Sequence, residues 1–277
     1  MTWTLAVSTL ITEELRILRF LDENRLALAQ FDEVLFICQL RDKPLPDLAG
    51  KLPANCRVIE SRTRGISASR NVGIENFTTD VIWFMDDDTK LVNLDRIRKA
   101  IEDSPADVNT LRIQDTKSEE LFRDYRFKDE LSSLQLLQVC SIEITCRKSF
   151  IDRTGIRFAE WIGVGTPLPS GEENLFLIDA RRRGAKICHV PLVGSRHPKV
   201  DFELKAMWTR PGRTRSMGII ARQYGPIGLL LLARWGLRGL RSGVEARWLA
   251  DLWRGYIRGS EGIPQNWRRL STSRQPA

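Results

Sequence analysis

The chain has 277 residues, of which 42% are hydrophobic and 28% charged, a balance that fits a globular protein with a sizeable core and argues against a disordered chain. The formal net charge is +8, and all of the excess lies after residue 200, where 14 Lys and Arg face 5 Asp and Glu. Five cysteines without a CxxC pair, no signal region before TWTLAVSTL and no apolar run of bilayer length lead us to expect reduced thiols and a cytoplasmic protein.

Strands and helices alternate among the predicted elements. In chain order the patterns predict a strand at 4–9, a helix at 13–30, strands at 34–39 and 57–60, a helix opened by RTRGISASRNVGI, and a strand at 81–85. A helix at 94–102, strands at 108–113 and 139–146, a helix at 173–183 and a strand at 186–190, ended by Pro191, follow. This alternation predicts an α/β fold with a mostly parallel sheet flanked by helices over residues 1–205, and a basic helical extension over 206–277.

The segment VIWFMDDDTK, residues 81–90, carries three consecutive aspartates directly after an apolar strand. Ligands of parallel α/β sheets bind beyond the carboxyl ends of the strands, which is where Asp86, Asp87 and Asp88 lie. On an extended backbone Asp86 and Asp88 project to one side and Asp87 to the other. Two close carboxylates favour a divalent cation such as Mg²⁺ or Mn²⁺, with substrate phosphates completing its shell. The alternative is a solvated acidic turn.

Two other interpretations of the triplet fail on named positions. A calcium loop that starts at Asp86 needs glycine and glutamate where the chain has Leu91 and Ile97. A nucleoside triphosphatase would add a GxxxxGKS/T motif, but the single Gly-Lys pair, at Gly50 and Lys51, is followed by leucine. The sequence contains no GxGxxG motif either.

The segment RGISASRNVG, residues 64–73, combines small residues with two arginines. A helix that begins there would present free N–H groups and the positive end of its dipole to an anion. Arg64 and Arg70 would add positive charge. A plain helix start with solvated arginines is the alternative.

Two further groups come late in the chain. Glu172 and Glu173 follow the glycine-rich WIGVGTP loop at a helix start, where carboxylates commonly serve as caps and dipole partners. A carboxylate that faces a diphosphate from this position could instead act as a general base. Of the two histidines, His189 lies in the apolar strand ICHV and is expected to be structural, whereas His197 in SRHP is a candidate ligand or phosphate contact.

In this order, RGISASRNVGI, VIWFMDDD, the glycine loop before GEENLFL and the downstream histidine resemble family-2 glycosyltransferases of the GT-A fold, in particular bacterial cell-surface polysaccharide transferases. The resemblance covers roughly residues 3–200. It implies a metal-dependent, inverting, hexosyltransferase-type enzyme whose donor is a nucleotide-diphosphate sugar, with a UDP-sugar favoured.

The resemblance also implies roles for individual residues. It places Ser8 and Thr9 near the nucleotide base, and Glu173, with Glu172 beside it, at the position of the catalytic base. The sugar nucleotide would be contacted by Arg64, Gly65, Arg70, Asn71, Asp86 and Asp87, and the metal would be held by Asp86, Asp88 and His197.

Three positions depart from the family pattern. Glu172–Glu173 replaces the usual Glu-Asp, Asp179 stands where arginine is frequent, and Gln39 ends the second strand where an acidic residue is frequent. The identity of the base and the contact to uracil or ribose therefore stay open.

Residues 224–256 place short apolar runs beside tryptophans and arginines, and Trp267 follows. This pattern is typical of an interfacial amphipathic helix attracted to anionic lipid, so we expect peripheral contact with the inner face of the membrane and a saccharide or lipid-linked acceptor. Packing of the segment on the domain is the alternative. Two competing functions are a nucleotide-binding GT-A-like protein without catalysis and a basic nucleic-acid-binding protein, although aspartates without a metal would repel phosphate.

Overall fold

The structure is a computed structural model that describes residues 1–11, 16–40, 43–45, 47–48, 50–199 and 204–263. Residue 13, at the predicted start of the first helix, and Trp267 lie outside these ranges. The chain divides into two compact units: the first comprises Met1–Thr63, Ser69–Arg157 and Phe176–Lys199, and the second comprises Arg64–Ala68, Phe158–Leu175 and Val200–Ala277. The predicted boundary at 205/206 stays a prediction, because residues 200–203 are not described.

The described strands are β1 Trp3–Ile11, β2 Glu33–Leu40, β3 Cys56–Ser61, β4 Val81–Asp86, β5 Lys90–Leu91, β6 Val108–Asp115, β7 Ile144–Arg147 and β8 Ile187–His197. The described helices are α1 Arg16–Leu28, α2 Ile66–Asn76, α3 Leu94–Glu102, α4 Lys148–Thr154, α5 Glu172–Arg182, α6 Leu204–Thr209, α7 Arg213–Arg222, α8 Pro226–Leu240 and α9 Trp248–Arg258. Short 3₁₀ turns cover Gln135–Gln138 and Ser141–Glu143. No helix of the described ranges combines the length and the hydropathy that crossing a membrane requires.

One sheet in the first unit joins these strands in the order β3-β2-β1-β4-β7-β6-β8-β5. β1 pairs in parallel with β2 and β4, β2 with β3, and β6 with β8, whereas β7 and β5 run antiparallel to their neighbours. The predicted α/β fold with a mostly parallel sheet is confirmed. Ser8 of β1 lies opposite Asp86 of β4, so the carboxyl ends of these two strands meet at one edge.

β4 runs through the core of the first unit. No residue from Val81 to Met85 is more than 1% exposed. A strand covered on both faces buries every side chain, because successive residues point to opposite faces. The indole N–H of Trp83 is satisfied by the carbonyl of Ile142 at 2.8 Å. The aspartates therefore begin at the residue where burial ends.

The last strand is longer than the sequence predicts. β8 continues through Pro191 to His197, so the prediction that Pro191 ends it is wrong. Its pairing with β6 shifts register between Thr110 and Arg112, and Pro191 is exposed beside this irregularity, where no ladder N–H is required. The extension brings His197 to the edge where β4 ends.

The predicted strand at 139–146 is also wrong in its first part, since only Ile144–Arg147 pairs in the sheet. The chain turns before it because Glu143 is pulled inward. The Cys140 N–H donates to Glu143 Oε2 at 3.0 Å, the Tyr125 hydroxyl donates to Oε1 at 2.6 Å, and Arg123 lies 3.3 Å away. A buried polar network overrides the apolar pattern here.

Candidate active site

The turn after β4 gives each of its three carboxylates a different partner in the first unit. The contacts join Asp86 to Arg70, Asp87 to Thr9 and Arg16, and Asp88 to His197. The like charges of the triplet are thus compensated one by one, and the predicted residues Thr9, Arg70 and His197 lie around it.

Asp86 faces a guanidinium that is almost fully buried. Arg70, on α2, is 2% exposed, and its Nη2 donates to Ser141 Oγ at 2.6 Å and to Asp86 Oδ1 at 3.3 Å. The contacts with Ser141 and Asp86 fix the planar guanidinium of Arg70. Its buried positive charge is paired with the carboxylate of Asp86, which is half-buried. Asn71, the next residue on α2, is 4% exposed. The buried Arg70 therefore fixes the orientation of the Asp86 carboxylate.

Asp87 is directed into the protein, as the alternation predicted. The residue is 6% exposed, accepts a hydrogen bond from the Thr9 hydroxyl, and lies 3.5 Å from Arg16 Nη1. Burial raises the pKa of Asp87, and the hydroxyl and the arginine oppose that rise. Thr9, at the end of β1, is thereby tied to the acidic turn.

Asp88 and His197 form a pair with His197 Nε2 3.1 Å from Asp88 Oδ1. Burial raises the pKa of Asp88, but the hydrogen bond and the charge of His197 outweigh it, so the net pKa is lowered. For His197, burial lowers the pKa, whereas Asp88 and then Asp86 raise it above its usual range. The pair thus stabilises the ionised form of Asp88 and the protonated form of His197, and the charge of Asp86 adds to the second effect.

The backbone of the turn is held by a polar residue inside the apolar face of α1. Asn24 is 2% exposed; its amide donates to the carbonyl of Thr89 at 3.0 Å and accepts from the N–H of Leu91 at 2.7 Å. The Thr89 hydroxyl donates to the carbonyl of Asp86 at 2.8 Å. These bonds satisfy buried backbone groups and fix the direction of all three aspartates.

The donor set at this edge fits a cation that shares its shell with phosphate. Within the described ranges no group of three or more His, Cys, Asp or Glu is arranged to hold a metal by itself. Mg²⁺ and Mn²⁺ commonly take only one or two carboxylates with substrate phosphates, and Mn²⁺ also accepts imidazole. His197 Nδ1 is buried and has no hydrogen-bond partner among the described residues. Asp88 and His197, with Asp86 near them, have the chemistry of such a partial site.

The second unit holds the remaining predicted residues. Gly65, at a φ of 88°, leads into α2, with Arg64 exposed beside it. The Ser67 hydroxyl donates to the carbonyl of Ile162 at 2.5 Å, and the Ile66 N–H donates to that of Val164 at 2.9 Å. These bonds seat the glycine-rich loop against the start of α2.

Gly163, at a φ of 114°, makes this arrangement possible. A Cβ there would lie 2.9 Å from Ser67 Oγ and 3.1 Å from the carboxyl carbon of Glu172. Glu172 is 5% exposed and Glu173 is half-buried at the start of α5. The two glutamates thus differ: Glu172 is packed against the loop, and Glu173 keeps access to solvent.

Arg213 on α7 is an unpredicted neighbour of Glu173. Burial and the nearby Arg210 lower the pKa of Arg213, and the negative charge of Glu173 raises it.

The remaining unpredicted residues left different signals in the sequence. Asn24 interrupts the apolar positions of α1 at core spacing, with Phe20 and Leu28 buried on either side of it, which is a signal for a buried polar role. Ser141 lies in a segment predicted to be a strand, and neither Arg16 nor Arg213 belongs to a motif, so pattern reasoning had no means to find them.

Residues 12–150, half of the 277-residue chain, match the profile of glycosyl transferase family 2. No curated protein sequence matches the chain significantly.

Solved structures of S. aureus TarS are similar in fold. The complex of TarS residues 1–349 with UDP-GlcNAc has a TM-score of 0.63 at 18% identity and is matched over 98% of this chain and 84% of that one. The complex of the same fragment with UDP has a TM-score of 0.59 at 17% identity, over 97% and 92% of the two chains. At such identities the likeness establishes the GT-A fold, which confirms the predicted fold class.

Proposed function

Because the chain belongs to glycosyl transferase family 2, we propose that it transfers a sugar from a nucleotide-diphosphate donor to an acceptor hydroxyl with inversion at the anomeric carbon. The observation that carries this proposal is the edge of the sheet at Asp86–Asp88, where each carboxylate meets its own partner. A structural acidic turn would not need a buried arginine and a half-buried histidine to pair with its charges.

The donor we favour is a UDP-hexose. Support comes from the fold shared with TarS, whose solved complexes contain UDP-GlcNAc and UDP. We assign Ser8 and Thr9 to the nucleotide, together with Arg64, Gly65, Arg70 and Asn71. Gln39, whose amide donates to Thr63 Oγ1 at 3.2 Å, replaces an acid at the end of β2, and selectivity among bases should depend on it.

A divalent cation belongs to the same proposal, held by Asp88 and His197 with Asp86 beside them. When bound, such an ion supplies positive charge that stabilises the diphosphate leaving group. The protein prepares for this by keeping Asp88 ionised and by fixing Asp86 against Arg70. Asp87 would hold Thr9, which we assign to the nucleotide, in a fixed position beside the acidic turn.

Glu173 is our candidate for the base. As the acceptor oxygen bonds to the anomeric carbon, the bond from that carbon to the diphosphate oxygen breaks, and the hydroxyl proton moves to the Glu173 carboxylate. Arg213 lies close enough for the charge of Glu173 to raise the pKa of its guanidinium, which places a cation beside the proposed base. Glu172, packed against the Gly163 loop, would position the loop, and it remains the alternative base.

The proposal extends to the setting of the reaction. We place the enzyme in synthesis of cell-surface polysaccharide or glycolipid, in the cytoplasm at the inner face of the membrane, with a saccharide or lipid-linked acceptor. The excess of basic residues after residue 200 supports this setting.

The base assignment is tested with Glu173→Gln, with Asp179→Asn as the matched control. Asp179 is a carboxylate on the same helix whose partner is Arg183, at 2.9 Å on the surface. We expect Glu173→Gln to lower turnover by about 10²- to 10⁴-fold at unchanged UDP affinity, and the control to keep its turnover. Sugar transfer would be followed by UDP release with a panel of acceptors.

Each other outcome points to a named alternative. Full turnover in Glu173→Gln, with loss in Glu172→Gln, would assign the base to Glu172. UDP binding without turnover on any acceptor would favour a non-catalytic nucleotide-binding protein. Binding of nucleic acid without binding of UDP would favour the third function considered above.

A further inference from the structure

α8 packs on the rest of the second unit through three glycines and one leucine. Its buried positions are Gly228, Leu232, Gly236 and Gly239. A Cβ at Gly239 would overlap the ring of Trp248, and one at Gly228 would overlap the carbonyl of Ala221. Glycine is therefore needed for the close approach of this helix to its neighbours, although glycine inside a helix costs stability.

Five other large apolar residues of α8 face solvent, whereas Leu231 and Trp235 are partly buried against the core. Leu230 is 70% exposed and Leu237 57%, with Ile227, Leu229 and Leu240 each about half exposed. Helices of water-soluble domains normally place leucine inside and small or polar residues outside. α8 reverses that order at these positions, and a set of exposed leucines of this size marks a surface that is covered by something apolar.

Basic residues run along one edge of this apolar stripe. At about 100° per residue, Leu229, Leu230, Leu237 and Leu240 share one sector of the helix. Arg234, Arg238 and Arg241 fill the adjoining exposed sector. No acidic residue occurs between Pro226 and Arg241.

α9 repeats the pattern in the same unit. Trp253 is 52% exposed and Ile257 51%, and the exposed Arg254 and Arg258 follow them by one residue each. Trp253 stacks on Tyr256 with ring centroids 5.9 Å apart. The inward positions of α9, Trp248, Leu252 and Gly255, complete the core with α7 and α8.

We propose that the outer faces of α8 and α9 form a docking surface for an anionic lipid bilayer. The leucine stripe and Trp253 enter the boundary between headgroups and acyl chains, and the arginines along its edge bind lipid phosphates. The binding itself is independent of the reaction, whereas its use in presenting a lipid-linked acceptor rests on the proposed function.

A second copy of the chain is the other occupant to weigh. It would bring the same arginines toward this surface, where α8 has no carboxylate and the one carboxylate of α9, Asp251, is already paired with Arg254 at 3.0 Å. Like charges across an interface oppose association, while an anionic membrane supplies the missing negative charge. The charge pattern therefore favours lipid over a homodimer.

The test is sedimentation of the full-length protein with vesicles of phosphatidylcholine alone or with one quarter phosphatidylglycerol, without donor or acceptor. The apolar variant is Leu230→Gln with Leu237→Gln, and its control is Leu26→Gln, at an 86% exposed leucine of α1 in the first unit. The basic variant is Arg234→Gln, Arg238→Gln and Arg241→Gln; its control is Arg19→Gln, Arg25→Gln and Arg96→Gln, which removes the same charge from exposed positions elsewhere.

We expect the wild type and both controls to sediment with the anionic vesicles, and each test variant to bind on the order of 100-fold more weakly. Thermal unfolding checks that all variants fold, and UDP affinity separates a failure here from a failure of the proposed function. Absence of sedimentation, or equal sedimentation of test and control variants, would overturn the proposal. A dimer detected by light scattering would also overturn the proposal if the leucine variant were monomeric and the wild type did not bind vesicles.

Discussion

Asp88, which is half-buried, and Glu143, which is fully buried, have cationic partners at nearly the same distance, yet their pKa values shift in opposite directions. Asp88 lies 3.1 Å from His197 and keeps a 32% exposed side chain, whereas Glu143 lies 3.3 Å from Arg123 with a side chain that is 0% exposed. The pKa of Asp88 is lowered, but burial raises that of Glu143 to about 7 against Arg123 and Tyr125. Residual contact with solvent decides which of the two effects dominates.

This difference separates a site from a structural network. An ionised carboxylate near solvent remains able to bind a cation, which suits the edge where β4 ends. Glu143 is closed in by Arg123, Tyr125 and Cys140, and its function is to turn the chain before β7. Replacing one carboxylate should therefore affect catalysis, and replacing the other should affect folding.

Of the replacements of these two carboxylates, Asp88→Asn is expected to have the larger effect. The amide keeps the shape but removes the charge that faces His197 and the proposed cation, so turnover should fall by about 10²- to 10³-fold. Asp22→Asn, at an exposed carboxylate of α1, serves as the control and should leave turnover unchanged. Turnover near the wild-type rate in Asp88→Asn, measured by UDP release across a manganese titration, would remove the cation role of this edge.

A smaller effect, on stability, is expected for Glu143→Gln. The folded protein holds the pKa of Glu143 at about 7, above its usual value of 4.5, so its contribution to the unfolding free energy is full below pH 4.5 and is lost as pH rises to about 7. The loss amounts to ~3 kcal/mol for a shift of this size. Urea unfolding between pH 5 and 8 should show a shallower decline in Glu143→Gln than in the wild type. Parallel curves for the two proteins would contradict the assignment.

Elements determined by one local pattern could be predicted from the sequence, whereas elements determined by contact with a distant residue could not. The apolar run Val81–Met85 predicted a strand covered on both faces, which is confirmed. The triplet after it predicted a functional edge, which stays a prediction. The prediction that Pro191 ends its strand was wrong because a register irregularity in the β6–β8 pair allows an exposed proline inside a strand. The prediction of a strand over residues 139–143 was wrong because Glu143 pairs with Tyr125 and Arg123, and no local pattern reveals these contacts.

The C-terminal segment shows the same limit. Its apolar runs and arginines were visible in the sequence, but periodicity alone assigns leucine to the inside of a helix. The reversal in α8 depends on Trp248 and Ala221, whose close approach leaves room only for glycine at positions 239 and 228.

The central claim, that the edge at Asp86–Asp88 binds a nucleotide diphosphate with a cation, is tested most directly by calorimetry of UDP with the full-length protein. We expect binding that strengthens at least about tenfold when Mn²⁺ is added, and we expect this gain to disappear in Asp88→Asn. UDP affinity that does not change with Mn²⁺, or a gain that survives in Asp88→Asn, would contradict the account.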